Sequence, residues 1–310
     1  MTTKSITSAQ TDKVADLGRE AVKTAVGKVN PTSTDAQNGI IGNGGEFKSR
    51  VEKAVEAIIM EMTTPNKYAN EVVSSNYTYP KEYKGPKPIA EQVKIIATMF
   101  GLDPTQALQF AKNLPAFDTF VPSDCPDIGW FAIPKVSAVA KQFSSITEQA
   151  LQYCEAVNLV HTKLADSRSF TNYRNGEIVP SKLRQHARTA SFLEHLEAEQ
   201  VGDILIIAAQ YGMFHRGKSI NRARETFAWN EFGLGEFHVC CMALVHPERY
   251  VHWQELETDC PGDEFSPDGD GVFSDAPYLV FGGNGLGFGV GDVSYFEEIY
   301  GSVSGFVPQN

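Results

Sequence analysis

Apolar residues recur at three- and four-residue spacing in "SAQTDKVADLGREAVKTAVGKV", which predicts a helix. The same spacing returns in "FKSRVEKAVEAIIMEM", where Val51, Ala54, Val55, Ile58 and Ile59 form one stripe. Between them, "NPTSTDAQNGIIGNGGE" is rich in Asn, Gly, Ser and Thr and reads as a flexible loop. A Tyr/Pro/Lys-rich connector, "TTPNKYANEVVSSNYTYPKEYKGPKP", follows. The expectation is an arm-like segment with helices over residues 1–85 and a single core domain over 86–310.

In the core domain, "PIAEQVKIIATMFG" opens on Pro and closes on Gly, and "DPTQALQFAKNL" opens on an Asp cap followed by Pro; both predict helices. "PAFDTFVPSDCPDIGWFAIPK" reads as an irregular aromatic segment, and "VSAVAKQFSSITEQALQYCEAV" as one further helix. "NYRNGEIV" predicts a turn around Asn175-Gly176. "PSKLRQHARTASFLEHLEAEQ" predicts a helix with Leu183, Ala187, Ala190 and Leu193 inward and Arg184 and Arg188 on another face.

"DILIIAAQY" is short and continuously apolar, the pattern of a buried strand. "SINRARETFAWNEF" after it reads as helix, as does "GEFHVCCMALVHPERYV" up to Pro247. "PYLVFGGNGLGFGV" predicts a hairpin with glycines alternating on one side. The fold class is therefore α+β: a helical N-terminal half, one buried strand–loop–helix unit near 203–229, and a β-hairpin-rich C-terminal region.

Charge changes the picture more than composition does. The net charge of −11 disfavours generic binding to nucleic acid or anionic membrane. Arg174 to Arg224 holds eight Lys/Arg against five Asp/Glu, whereas from Glu231 onward Arg249 alone faces fourteen acidic residues. No run approaches the length of a membrane span, and the N-terminus lacks the apolar core of a signal peptide. Five cysteines without a framework spacing read as reduced and structural. Together these predict a cytoplasmic protein or one assembled inside a cell into a particle.

One stretch carries candidate chemistry. "GMFHRGKS", Gly212 to Ser219, satisfies G-x-x-x-x-G-K-[ST] and so resembles the phosphate loop of nucleotide hydrolases over eight residues. Glycines there let backbone N–H groups converge on phosphate, Lys neutralises it, and Ser binds Mg²⁺. Met213, Phe214, His215 and Arg216 are bulky for such a nest, and no strand ending in Asp follows to hold the metal. A broader expectation is an anion site built from Gly212, His215, Arg216, Gly217, Lys218, Ser219 and Arg222, with Arg224, Arg184, His186 and Arg188 as further cations. The competing expectation pairs these cations with the acidic C-terminal third.

The acidic turn region 259–275, with Asp259, Asp263, Glu264, Asp268, Asp270 and Asp275, offers oxygen ligands for Mg²⁺ or Ca²⁺ but lacks an EF-hand pattern. His238, Cys240, His246, His252 and Cys260 are zinc-compatible in type without a zinc spacing. No catalytic set stands out. The first expectation is a structural or assembly protein without catalysis, with protein partners or copies of itself and without a cofactor. The alternative is an enzyme or binding protein for a phosphorylated or nucleotide ligand at loop 212–219.

Overall fold

A computed structural model describes residues 8–29, 31–63, 66–143, 145–283 and 285–308; the side chains of 8–10, 53 and 56–63, including Ile58 and Ile59, lie outside the description. Contacts divide the chain into two compact units, Met1–Lys67 and Tyr68–Asn310. The division precedes the expected boundary at 85, because Tyr79 and Tyr83 pack in the core of the second unit.

The first unit holds α1 (Ser8–Val29), α2 (Ser33–Asp35), a π-helical turn over Ala36–Ile41, and α3 (Gly44–Thr63). The stretch expected to be a flexible loop is thus largely helical. Thr32 accepts the Asp35 N–H at 3.1 Å and donates its hydroxyl to the Asp35 carboxylate. That reciprocal cap starts a helix despite the polar composition.

The second unit mixes helices with two sheets and is α+β. α4 (Ile89–Phe100) ends at Gly101, whose φ of 64° supplies the left-handed cap. α5 (Thr105–Phe110) starts where Asp103 accepts the Thr105 N–H at 2.9 Å. The aromatic segment expected to be irregular then yields β1 (Gly129–Pro134).

The next stretch is two helices rather than one. α6 (Val136–Ala140) runs into a 3₁₀ turn, and α7 (Gln149–Ser167) begins only after Glu148. The Gln152 amide bonds the Ile146 carbonyl at 2.7 Å and holds the break. β2 (Phe170–Asn172) follows. The helix expected from Pro180 onward is corrected at its start. Leu183–Gln185 is a strand, β3, paired with a later strand, and α8 (Ala187–Glu199) begins after His186, whose ring accepts the Arg188 N–H. Arg184 and Arg188 therefore do not share a helix.

β4 (Ile204–Gln210) is buried at every position. A 3₁₀ turn at Met213–His215 leads to α9 (Ile220–Thr226), β5 (Glu231–Gly233) and α10 (Glu236–Val245). The C-terminal region is all strands: β6 (Glu257–Asp259), β7 (Asp263–Phe265), β8 (Asp275–Gly282), β9 (Gly285–Asp292), β10 (Tyr300–Ser302) and β11 (Ser304–Phe306).

One sheet has the order β1-β4-β11-β5, every pair antiparallel. β4 is apolar on both faces because helices and the aromatic cluster of Phe120 and Phe306 cover it. In the other sheet β8 pairs with β9 along its length and with β6 and β7 on its second edge. Glycines at 287, 289 and 291 leave room on β9 for rings: a Cβ on Gly289 would lie 2.5 Å from Tyr278, and one on Gly287 2.8 Å from Tyr173. β10 and β11, joined by Val303, tie the sheets together. No helix among the described residues is long and apolar enough to cross a membrane.

Candidate functional site at the 212–219 loop

The loop leaves β4 and enters α9, the order a phosphate loop requires. The surrounding sheet is antiparallel, however, and α9 is only seven residues long. The decisive feature is where the backbone donors go. Gly212 and Phe214 give their N–H groups to the Gln210 side-chain oxygen at 2.7 and 3.2 Å, and Met213 to the Tyr79 hydroxyl at 3.3 Å. His215, Arg216 and Lys218 bond carbonyls within the loop, Gly217 bonds Tyr300 O at 2.8 Å, and Ser219 bonds Glu71 O at 3.0 Å. All eight amides from 212 to 219 thus have protein acceptors, and they do not converge on one concavity.

The two motif glycines serve close backbone packing. Gly212 has a φ of 110°, and a Cβ there would stand 2.8 Å from the Gly301 carbonyl oxygen; Gly217, at φ 72°, would meet the Val73 oxygen at 2.2 Å. Ser219 caps α9 through the Arg222 N–H at 2.9 Å and donates its hydroxyl to Glu71 at 2.5 Å. The hydroxyl that would bind Mg²⁺ in a phosphate loop is therefore fully engaged.

The cations are also placed. Lys218 Nζ lies 3.0 Å from His215 Nδ1 and 3.2 Å from the Thr226 hydroxyl. On the other side of the buried imidazole, Nε2 reaches Glu231 Oε1 at 2.6 Å. Because Lys218 can only donate, Nδ1 accepts and the ring proton sits on Nε2, toward Glu231. Glu231 is wholly buried and also receives the Ser304 hydroxyl at 2.5 Å and the Ala228 N–H at 2.9 Å.

Burial pushes the His215 pKa down, against the pull of Glu231, so the ring is neutral. Burial would raise Glu231, but His215, Ser304 and Ala228 outweigh it and hold the carboxylate below its ordinary 4.5. Burial also lowers Lys218. The result is a cation and a buried anion joined through a neutral imidazole. Two surface clefts of about 490 and 400 Å³ draw no residue from the loop.

Of the other expected cations, Arg184, Arg188 and Arg224 reach the C-terminal third, whereas Arg216 and Arg222 bond elsewhere. Arg184 pairs with Glu264 at 2.8 Å, and Arg224 donates to the Pro261 and Asp263 carbonyls at 2.9 and 2.7 Å. Arg188 donates to the Glu231 carbonyl at 2.7 Å, Arg216 to Tyr77 O at 2.9 Å, and Arg222 pairs with Glu225 at 2.8 Å. The acidic stretch 259–275 has no common centre. Asp263 accepts Tyr153 and the Glu236 N–H, Asp270 bonds its own loop at Val272, and Asp275 accepts Ser274.

A second buried hub has no spacing in the sequence that marks it. His161 Nε2 lies 3.0 Å from Glu236 Oε1, which also receives Cys240 Sγ at 2.8 Å, while Cys260 Sγ reaches Glu236 Oε2 at 3.2 Å. Among the described residues, His161, Glu236 and Cys240 bring three metal-type ligand atoms within 4.8 Å. The hydrogen bonds assign the His161 tautomer in this arrangement. Asn172 Oδ1 accepts the Arg174 N–H at 2.7 Å, so its NH₂ faces His161 Nδ1 at 3.2 Å and the ring proton is on Nε2. Burial, then Glu236, pushes both thiols well above the ordinary range. Of the zinc-compatible residues read from the sequence, Cys240 and Cys260 meet at this carboxylate; His252 instead pairs with Glu82 at 3.0 Å.

No family model, curated protein or solved structure matches the chain.

Proposed function

We propose that the chain is a structural or assembly protein that works by association, with copies of itself or with protein partners, as a component of a larger particle. The observation that carries this reading is the apolar stripe of α1. Val14, Leu17 and Val29 recur at helical spacing, yet are 40%, 62% and 77% exposed. Of the described α1 side chains, only Gly18 and Val22 are half-covered. A helix with such a stripe gains stability by packing it against something, at about 25 cal/mol per Å² removed from water. Phe47 and Ile41 add further exposed apolar surface in the same unit.

The reading as an enzyme or binder of a phosphorylated ligand has less support, since loop 212–219 would have to release amides already bonded within the protein. Electron microscopy of the purified full chain tests the proposal. Regular particles or filaments are expected, and a field of single compact molecules at high protein concentration counts against it.

A further inference from the structure

The loop that resembles an anion site borders a cavity of the opposite character. Gly217 N–H bonds Tyr300 O, and Arg216 pairs with Gly301, so the loop lies along β10. β10 runs parallel to β6, setting Tyr300 opposite Glu257 and Ser302 opposite Asp259. On the other edge of β6, β8 sets Tyr278 opposite Asp259. Cross-strand neighbours share a face, so carboxylates and phenol rings are brought together.

Asp259, Tyr278, Tyr295 and Tyr300 line the cavity together with Ile220 and Asp292; Asp259 and Ile220 are buried, while Tyr295 and Asp292 are exposed. The Tyr300 ring stands edge-on to both others, at 6.1 Å and 75° from Tyr278 and 5.9 Å and 76° from Tyr295. Tyr278 can lie across β9 because position 289 is glycine, where a Cβ would stand 2.5 Å from the ring; at Gly291 a Cβ would make only ordinary contact at 3.6 Å.

Asp259 is 7% exposed, and no described group donates a hydrogen bond to its carboxylate. The buried Ser302 hydroxyl beside it has no partner either. The charged groups that face the cavity or act on its walls are Glu257 on β6, Asp292 and Glu297 on either side of Tyr295, and Arg174, which acts on Tyr278. Burial, then repulsion from Glu257, pushes Asp259 up to about 7. Burial and Glu297 do the same to Glu257, against a Tyr300 hydrogen bond. A buried carboxylate without a donor, in a cavity lined by three tyrosine rings, is complementary to an organic cation.

The molecule builds a similar enclosure internally. The buried Arg249 guanidinium lies 4.5, 5.2 and 4.9 Å from the rings of Tyr79, Tyr211 and Tyr250.

We propose that this cavity binds an alkylammonium group, with the Asp259 carboxylate as counter-ion and the rings of Tyr278, Tyr295 and Tyr300 as walls. The cavity is about 30 Å³, which admits an ammonium head on a narrow stem rather than a whole ligand. A small free amine and the side chain of a lysine on another polypeptide present the same head.

Calorimetric titration of the full chain at about pH 8, where the carboxylate is ionised, tests the proposal. Ethylammonium chloride stands for the free amine and Nα-acetyl-lysine amide for the side chain, with sodium chloride at equal ionic strength as control. Saturable binding of at least one is expected; binding of ethylammonium alone assigns the site to free amines. The affinity should fall roughly tenfold or more in Asp259→Asn and in Tyr295→Ala, and persist in Tyr295→Phe. Tyr295 is exposed, so its variants report on binding even if Asp259→Asn fails to fold. No saturable binding by either probe, an equal effect of sodium, or unchanged affinity in Tyr295→Ala overturns the proposal.

Discussion

Lys218 and His215 are three residues apart in sequence and 3.0 Å apart in space, and the imidazole between them carries the lysine's influence to Glu231 at 2.6 Å. Glu231 has no exposed surface, so its charge is tolerable only through these donors.

Lys218→Met removes the cation and leaves the carboxylate with neutral donors. The expected loss of stability is about 1–3 kcal/mol, read from urea unfolding midpoints. The same chain gives an acid-side pH dependence. His215 and Glu231 both have folded pKa values below their ordinary 6.5 and 4.5, so the unfolded chain takes up protons first. Their contribution is complete at neutral pH, begins to fall below 6.5 through His215, and falls further below 4.5 through Glu231. His215→Gln should flatten the upper part of that decline.

Phosphate, and nucleotide with Mg²⁺, should leave the thermal midpoint unchanged apart from general salt effects, since loop 212–219 has no free amide to offer. A rise that disappears in Lys218→Ala would contradict this account of the loop.

Asp259 has the opposite pH sign. Its carboxyl rises from the ordinary 3.8 to about 7 in the fold, so the native state holds its proton where the unfolded state does not. The penalty is absent below about 4, grows with pH and is complete above about 7. Asp259→Asn should therefore stabilise the chain by on the order of 1–3 kcal/mol above pH 7 and by little in mild acid. Melting curves of both proteins across that range decide it.

Gly289→Ala would place a methyl 2.5 Å from the Tyr278 ring. The ring is half-buried and can swing, so the expected cost is about 1 kcal/mol, accompanied by loss of the perpendicular Tyr278–Tyr300 contact. In the Tyr278→Ala background the same glycine change should cost less, a non-additivity that a double-mutant cycle measures.

Legibility followed the range of the forces involved. β4 could be read because six consecutive apolar residues, Ile204 to Ala209, run without a polar interruption, and α4 because Gly101 stops it locally. β1 was hidden by the prolines around "GWFAIP", which sit at a strand end and in flanking loops. β3 was hidden because Leu183–Gln185 also fits the helical stripe of α8, and only its pairing with β7 makes it a strand. The phosphate-loop pattern was met for local reasons unrelated to phosphate: its glycines answer to Gly301 and Val73, far away in sequence. Glu231 and the tyrosine-lined cavity depend on partners brought together by sheet pairing, and no spacing announces them.

The proposed assembly through the N-terminal helices requires that the exposed stripe of α1 meet another molecule. Light scattering coupled to size exclusion, on the full chain and on Leu17→Asp, tests it most directly. A mass that is a multiple of 34.0 kDa is expected, falling toward 34.0 kDa in the variant while its circular dichroism stays that of a folded chain. A mass of 34.0 kDa for the unmodified chain at every concentration, or an assembly indifferent to Leu17→Asp, would contradict it.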